Sequence, residues 1–253
     1  MLIAQLTDIH LMAEPHQTLR GMNTQQSLDR VLEQIQSLPE LPQMLILTGD
    51  LANDGDISAY HRLRHRITAL GIPTYSTAGN HDLIDRLVPH LTNNLIHYIP
   101  RLELNNWQFL FLDSTVPDQI GGAFSPSTLH WLEQTLTDCR LPTLIAFHHP
   151  ALDLDSAWID SMGLANKQEF WQICQRFSHV RLVMNGHAHQ ENIQVYQGIT
   201  CVVTPSTCMQ FLPKTPTYAI DVDRPPGFRL VRLAKDGTFT TEVIYTPTGT
   251  EQF

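Results

Sequence analysis

Several things are scarce in this chain of 253 residues. No apolar run approaches the ~20 residues needed to cross a bilayer. The opening stretch, MLIAQLTDIH, has no basic segment ahead of its apolar run, which stops at Asp8, so it reads as a strand and not as a secretion signal. There are 4 cysteines, Cys139, Cys174, Cys201 and Cys208, and no two of them make a C-x-x-C pair. That excludes a disulfide scaffold and a thiolate zinc knuckle, and it makes a reducing cytoplasm the expected compartment. Basic charge is also short: 16 Lys and Arg against 25 Asp and Glu leave a formal charge of −9. Such a surface repels nucleic acid and anionic membrane, so neither is an expected partner. Bound cations could still reverse the field at one site.

What is present is an ordinary globular composition, 42% apolar and 16% charged. Short apolar runs alternate with helical patterns. LIAQLT (2–7), QMLILT (43–48) and IPTYST (72–77) read as strands. TQQSLDRVLEQIQSL (24–38), with Thr24 as expected N-cap, and ISAYHRLRHRITAL (57–70) read as helices between them. This β-α-β-α-β order predicts parallel neighbours joined by right-handed crossovers. Further on, YIPRLEL and WQFLFLD flank a hairpin signal at Asn105-Asn106. SPSTLHWLEQTLTD is a helix with Ser125 as cap, and LPTLIAF, KQEFWQICQRF and VRLVMN continue the alternation. The last quarter is mostly strand, with turns at Gln197-Gly198 and Asp236-Gly237. No repeat, low-complexity tract or linker interrupts it. The expectation is an α/β fold in one domain, residues 1–253, with two packed sheets flanked by helices.

Polar residues of one chemical kind follow the strands. Asp8 and His10 come after the first, Asp50 after the second, and Asn80, His81 and Asp82 after the third. His148 and His149 follow TLIAF, and His187 and His189 follow RLVMN. In open α/β sheets ligands bind beyond the carboxyl ends of the strands, so these groups are expected to converge. Carboxylate, imidazole and amide oxygen suit Zn, Mn and Fe. Two Asp, one Asn and four His are too many for one open catalytic ion. They suit two ions sharing a carboxylate, roughly 3.5–4 Å apart. Each motif alone has a plain explanation: D-x-H is common by chance, and GD or HHP after a strand is often a turn. Their common position at strand ends makes the set informative.

D-x-H, GD, GNHD, HHP and GHAH in this order resemble the calcineurin-like metallophosphoesterases, and the motifs span residues 8–189. The resemblance implies a four-layer αββα sandwich of two mixed β-sheets and a dinuclear centre. Asp8, His10 and His189 would hold one ion and Asn80, His148 and His187 the other, with Asp50 bridging. Three further stretches, LRGMNTQQSLDRVL (19–32), TPSTCMQFLP (204–213) and PPGFRLVRLAKDGTFTTEV (225–243), are similar to the bacterial class III cyclic-AMP phosphodiesterases. That likeness implies hydrolysis of 3′,5′-cyclic AMP to 5′-AMP by in-line attack of a hydroxide held between the ions, which are most often Fe or Mn, with Zn or Co as alternatives. His10, Asp50, Asn80, His81 and His189 would touch substrate. His81 would protonate the leaving 3′-oxygen, and Asp82 would orient its ring. The 204–213 segment would shape the nucleotide pocket, with Arg20 and Asn23 within reach of it, and a homodimer is left open. Two alternatives remain at this point. One is a related enzyme acting on 2′,3′-cyclic nucleotides or on nucleotide or lipid-linked pyrophosphates. The other is a protein-binding scaffold without activity, which the complete ligand set disfavours.

Overall fold

A computed structural model describes residues 1–247. The first half contains β1 (Leu2–Leu6), α1 (Thr24–Gln36), β2 (Met44–Thr48), α2 (Ile57–Ala69), β3 (Thr74–Thr77), α3 (Ile84–Leu91), β4 (Ile96–His97), β5 (Arg101–Leu104), β6 (Trp107–Phe111) and α4 (Pro126–Asp138). There follow β7 (Thr143–Ala146), α5 (Ala157–Asp160), α6 (Lys167–Cys174), β8 (Val180–Asn185), β9 (Asn192–Tyr196), β10 (Ile199–Val203), β11 (Gln210–Phe211), β12 (Ile220–Asp221), β13 (Gly227–Leu233) and β14 (Phe239–Tyr245). Two six-stranded mixed sheets form, ordered β14-β13-β1-β2-β3-β4 and β5-β6-β7-β8-β10-β9. In the first, β1 to β4 are parallel; in the second, β6, β7, β8 and β10 are. The pairs β1–β13, β13–β14, β5–β6 and β9–β10 toward the sheet edges are antiparallel.

Strand alternation builds four layers. Leu2, Ala4, Leu6, Leu45 and Leu47 point outward and pack with Leu28, Val31 and Ile35 of α1 and Tyr60, Leu63 and Ile67 of α2. Their neighbours Ile3, Met44 and Ile46 point inward and meet Trp107, Phe109 and Phe111 of the second sheet. Tyr75 stacks on Phe111 across this layer, at 5.4 Å between centroids. The outer face of the second sheet is covered by Leu129, Leu132 and Leu136 of α4 and Phe170 and Trp171 of α6. Each such side chain contributes ~1.5–3 kcal/mol relative to exposure. Strands buried on both faces read as unbroken apolar runs, which is why the sequence marked them as runs and not as alternation.

Near the carboxyl ends of the parallel strands the inner layer turns polar. Gln5 donates to Thr48 Oγ1 at 2.8 Å and to the Asn185 carbonyl at 3.0 Å, tying the sheets together. Arg229 on β13 donates to Thr204 Oγ1 and the Val203 carbonyl of the other sheet, each at 3.0 Å. Burial pushes its pKa down to about 10, so it remains a cation held by neutral oxygens. These bonds fix the spacing of the strand ends that carry the polar motifs.

Several local expectations need correction. The N-cap of α1 is Asn23, not Thr24: Asn23 is extended (φ −79°, ψ 105°) and its side chain accepts from Gln26 N, while Thr24 is already helical and buried. The hairpin expected at Asp236-Gly237 is present between β13 and β14, with Gly237 N donating to Ala234 O and Gly237 at φ +86°. Residues 84–97, assigned no element from sequence, form α3 and the short β4; Pro89 inside α3 masks its pattern. Helices alternate with strands in the second sheet as well as the first, and the C-terminal hairpin β13–β14 returns to pair with β1. The last six residues of the expected domain, 248–253, lie outside the described residues.

Candidate metal centre

Five loops leave the carboxyl ends of β1, β2, β3, β7 and β8 and bring the expected donors together. His10 Nε2 lies 3.2 Å from His189 Nε2, and His189 Nε2 is 3.4 Å from Asp8 Oδ1. On the other side, Asn80 Oδ1 is 3.0 Å from His187 Nδ1 and 3.2 Å from His148 Nε2. Asp50 stands between the two sets: its Oδ2 is 3.5 Å from His10 Nε2 and 3.3 Å from His148 Nε2. Asp8, His10, Asp50, His148, His187 and His189 are buried, and Asn80 is half-buried at the cavity floor.

The loops hold these groups at a backbone cost. Asp8 (φ 52°), His10 (48°), Asp50 (51°), His187 (66°) and His189 (47°) all adopt the left-handed region that L residues avoid. Strain of about 1–3 kcal/mol at each such residue persists only when the surroundings over-determine it, and it clusters at functional sites. The surroundings here are dense. Asp8 N donates to Gly49 O, His10 N to Asp50 O, and His187 N to both oxygens of Asp8 at 3.1 and 3.0 Å. Two glycines permit the approach: a Cβ on Gly186 would lie 1.9 Å from Thr7 Oγ1, and one on Gly79 would lie 2.3 Å from Asp50 Oδ1.

Ring tautomers follow from the far side of each imidazole. His148 Nδ1 donates to the Thr48 carbonyl and His189 Nδ1 to the Met209 carbonyl, both at 2.8 Å, because a carbonyl can only accept. Their Nε2 lone pairs therefore face the centre. His10 Nδ1 meets the Asn53 side-chain oxygen at 3.3 Å, again turning Nε2 inward. His148 Nε2 thus lies 3.2 Å from Asn80 Oδ1 and 3.3 Å from Asp50 Oδ2, and His10 Nε2 lies 3.2 Å from His189 Nε2, acceptor-to-acceptor contacts that are repulsive unless cations or protons lie between them. Oxygen and nitrogen donors without sulfur fit borderline transition ions.

The electrostatics agree. Burial opposes ionisation of Asp50, but the attraction of His148 outweighs it and holds the carboxyl well below the usual range. Asp8 is held down by His189 against the same opposition. Without cations, His148 loses to burial but gains more from Asp50 and rises to about 9. His10, with burial dominant, falls to about 4.

Two sequence assignments change. Asp82 does not orient the His81 ring. Its carboxylate accepts from Leu51 N, Ala52 N, Gly79 N and the Tyr60 hydroxyl, which binds the β2 and β3 loops together. The His81 ring instead donates its Nδ1–H to the Asn53 carbonyl at 2.6 Å. Its other nitrogen has no hydrogen-bond partner among the described residues, and the ring stands edge-on to His10 at 4.8 Å on the exposed rim of the cavity. Asn23 is occupied as the helix cap, whereas Arg20 does line the cavity. In the 204–213 stretch, Ser206 Oγ donates to Asp8 O and Thr207 N to Thr7 O behind the donors, while Met209 and Phe211 reach the cavity.

Sequence reasoning passed over Asn53, and it placed His149 among the converging residues without giving it a role. Asn53 serves His10 with its side chain and His81 with its carbonyl; its place three residues after Asp50 was a readable signal. His149 sits in contact with the His148 and His187 rings, but both its nitrogens are taken, by Ser114 Oγ (2.8 Å) and the Ile120 carbonyl (2.9 Å). It braces the neighbouring rings, and burial keeps it neutral, with a pKa of about 3.

Two carboxylates, an amide and four imidazoles gather at the sheet ends, with Asp50 between two donor sets that could each hold a cation, and the family model of the calcineurin-like phosphoesterases matches residues 1–191. The chain belongs to that family. It is 40% identical over 97% of its length to a 3′,5′-cyclic-nucleotide phosphodiesterase of Nostoc sp., of which 92% is covered. It is also 36% identical over 95% of its length to the 3′,5′-cyclic adenosine monophosphate phosphodiesterase CpdA of Escherichia coli K12, covering 88% of that protein. Among solved structures, a dimetal phosphatase from Danio rerio superposes with a TM-score of 0.65 at 14% identity, covering 97% of this chain and 99% of that one, a likeness of fold.

Proposed function

We propose that the protein is a 3′,5′-cyclic-nucleotide phosphodiesterase that opens cyclic AMP to 5′-AMP at a two-ion centre. The observation that carries this is the Asp50 carboxylate oxygen set 3.5 and 3.3 Å from the inward nitrogens of two separate donor sets. The names of the Nostoc and Escherichia coli relatives supply the substrate. Asp8, His10 and His189 would hold one ion and Asn80, His148 and His187 the other, with Asp50 shared between them. Fe or Mn is the expected pair, with Zn or Co tolerated, since the donor set does not select among them. When bound, the ions ionise water at neutral pH and draw charge from the phosphoryl oxygens.

The chain's own residues do the rest. His10, Asp50, Asn80, His81 and His189 frame the cavity floor on which the phosphate rests. The Asn53 carbonyl keeps the His81 proton on Nδ1, so the imidazolium form offers its Nε2 proton to the departing 3′-oxygen, a poor leaving group without it. Buried free thiols fit a cytoplasmic enzyme working as one domain.

Incubating the metal-loaded protein with cyclic AMP, a 2′,3′-cyclic nucleotide and a nucleotide pyrophosphate, then identifying products, tests the reading. 5′-AMP from cyclic AMP at the highest kcat/KM is expected. Preference for either of the other two substrates would replace it with a related activity.

A further inference from the structure

Beside the donors the cavity, about 320 Å³, changes character. One wall is aromatic and comes from two separate segments. Trp158 is on α5; Phe211 is on β11, and Tyr218 is in the loop between β11 and β12. The three rings form a mutual edge-to-face cluster, with centroids 5.2 to 5.3 Å apart. Phe211 also stacks flat on His189, at 4.2 Å and 13°. Its backbone N–H donates to the His189 carbonyl, so the wall is anchored to a metal donor. Arg20 completes it: the guanidinium lies 5.8 Å from the Tyr218 centroid, and no carboxylate partner is found for it among the described residues. Arg20 is itself held at φ 52°.

We propose that Trp158, Tyr218 and Arg20 form the nucleobase subsite, with Phe211 as the spacer ring between the base and the metal donors. The inference rests on the cyclic-nucleotide reading above. A phosphate would sit at the metal donors on the cavity floor, and the aromatic wall begins one ring away, with Phe211 against His189, on the side to which a ribose would carry its base. An uncharged planar heterocycle matches a π-face flanked by a guanidinium. A sugar-phosphate or pyrophosphate without a base would leave that surface unused. The partly exposed rings, Tyr218 at 45%, are the ones a base would cover.

The test compares ligands with and without a base. In the metal-loaded enzyme, Trp158→Ala and Tyr218→Ala are expected to raise KM for cyclic AMP about 10-fold, with a much smaller change in kcat. Competitive inhibition by 5′-AMP should weaken by a similar factor, while inhibition by ribose 5-phosphate stays within about twofold of wild type. Tyr218→Phe keeps the ring and should keep the wild-type KM. Metal content and Tm, measured on each variant, separate loss of the subsite from loss of the fold; for any variant that unfolds, the exposed Arg20→Ala gives the same ligand comparison. Equal weakening of 5′-AMP and ribose 5-phosphate, or no change in either, overturns the subsite while leaving the phosphodiesterase reading standing. A wild-type enzyme that fails to cleave cyclic AMP ends both, and that is seen before any variant is made.

Discussion

Asn53 positions two imidazoles at once, His10 through its side chain and His81 through its carbonyl, so the proposed acid and one proposed metal donor share a support. This division of labour leads to separable phenotypes. Replacing His81 by alanine should lower kcat on cyclic AMP by ~10²–10⁴ with metal content intact. The deficit should shrink on bis-p-nitrophenyl phosphate, whose leaving group needs less protonation; an equal deficit on both would point to binding. Asp82 behaves differently, because its carboxylate accepts from three buried N–H groups and a hydroxyl. Asp82→Ala should cost about 3 kcal/mol or more in urea unfolding, since each orphaned buried donor costs ~1–3 kcal/mol. An unchanged midpoint would remove the loop-tying role. Adjacency to His81 in GNHD suggested an orienter, but neighbours in sequence at a turn point different ways, and only the folded loops show which carbonyl the ring meets.

At the scale of elements, the strand ends and the glycines between them set the geometry. Gly186 lets the β8 loop close onto β1, where any Cβ would strike Thr7 Oγ1 at 1.9 Å and Asp8 Oδ2 at 2.8 Å. Gly186→Ala should therefore push His187 away from Asp8. We expect circular dichroism close to wild type, metal content reduced to one ion or fewer, and activity lost. Two ions retained with normal turnover would show that the loop can move aside. The major strands and helices were readable from apolar runs and caps, since burial on both faces and helical spacing leave local marks. Helix α3, with an internal proline, and the two-residue strands β4, β11 and β12 were not, because proline interrupts the helical pattern and two residues are too few to show a period.

Across the whole molecule, the cation-free centre couples folding to pH in a definable way. His148, raised to about 9, contributes stability that is complete below about pH 6.5 and is lost as pH rises through 9. His10, lowered to about 4, is neutral in the fold while the unfolded chain binds a proton, so stability falls as pH drops from 6.5 toward 4. The metal-free protein should show its highest Tm near pH 6.5, with each flank worth on the order of a few kcal/mol. On the proposed ligand set, ions in the loaded protein would displace the His148 proton, so the loss of Tm between pH 6.5 and 9 should vanish and loading in that range should release protons. Thermal scans of both forms decide it; parallel profiles would mean that the site does not carry these charges.

The sequence by itself determined which residues could be ligands. Asp8, His10, Asp50, Asn80, His148, His187 and His189 each follow an apolar run, and strand ends of a parallel sheet must face one side. Apolar runs also showed that each sheet needs a layer on both faces, while the four-layer order came from the resemblance of the motifs to a known family. Only the tertiary structure decided which atoms meet: the inward nitrogen of each ring, the Asn53 carbonyl behind His81, the brace of His149 and the aromatic wall beside His189. Those contacts join residues far apart in the chain, through loops whose left-handed turns carry no pattern that periodicity can reveal.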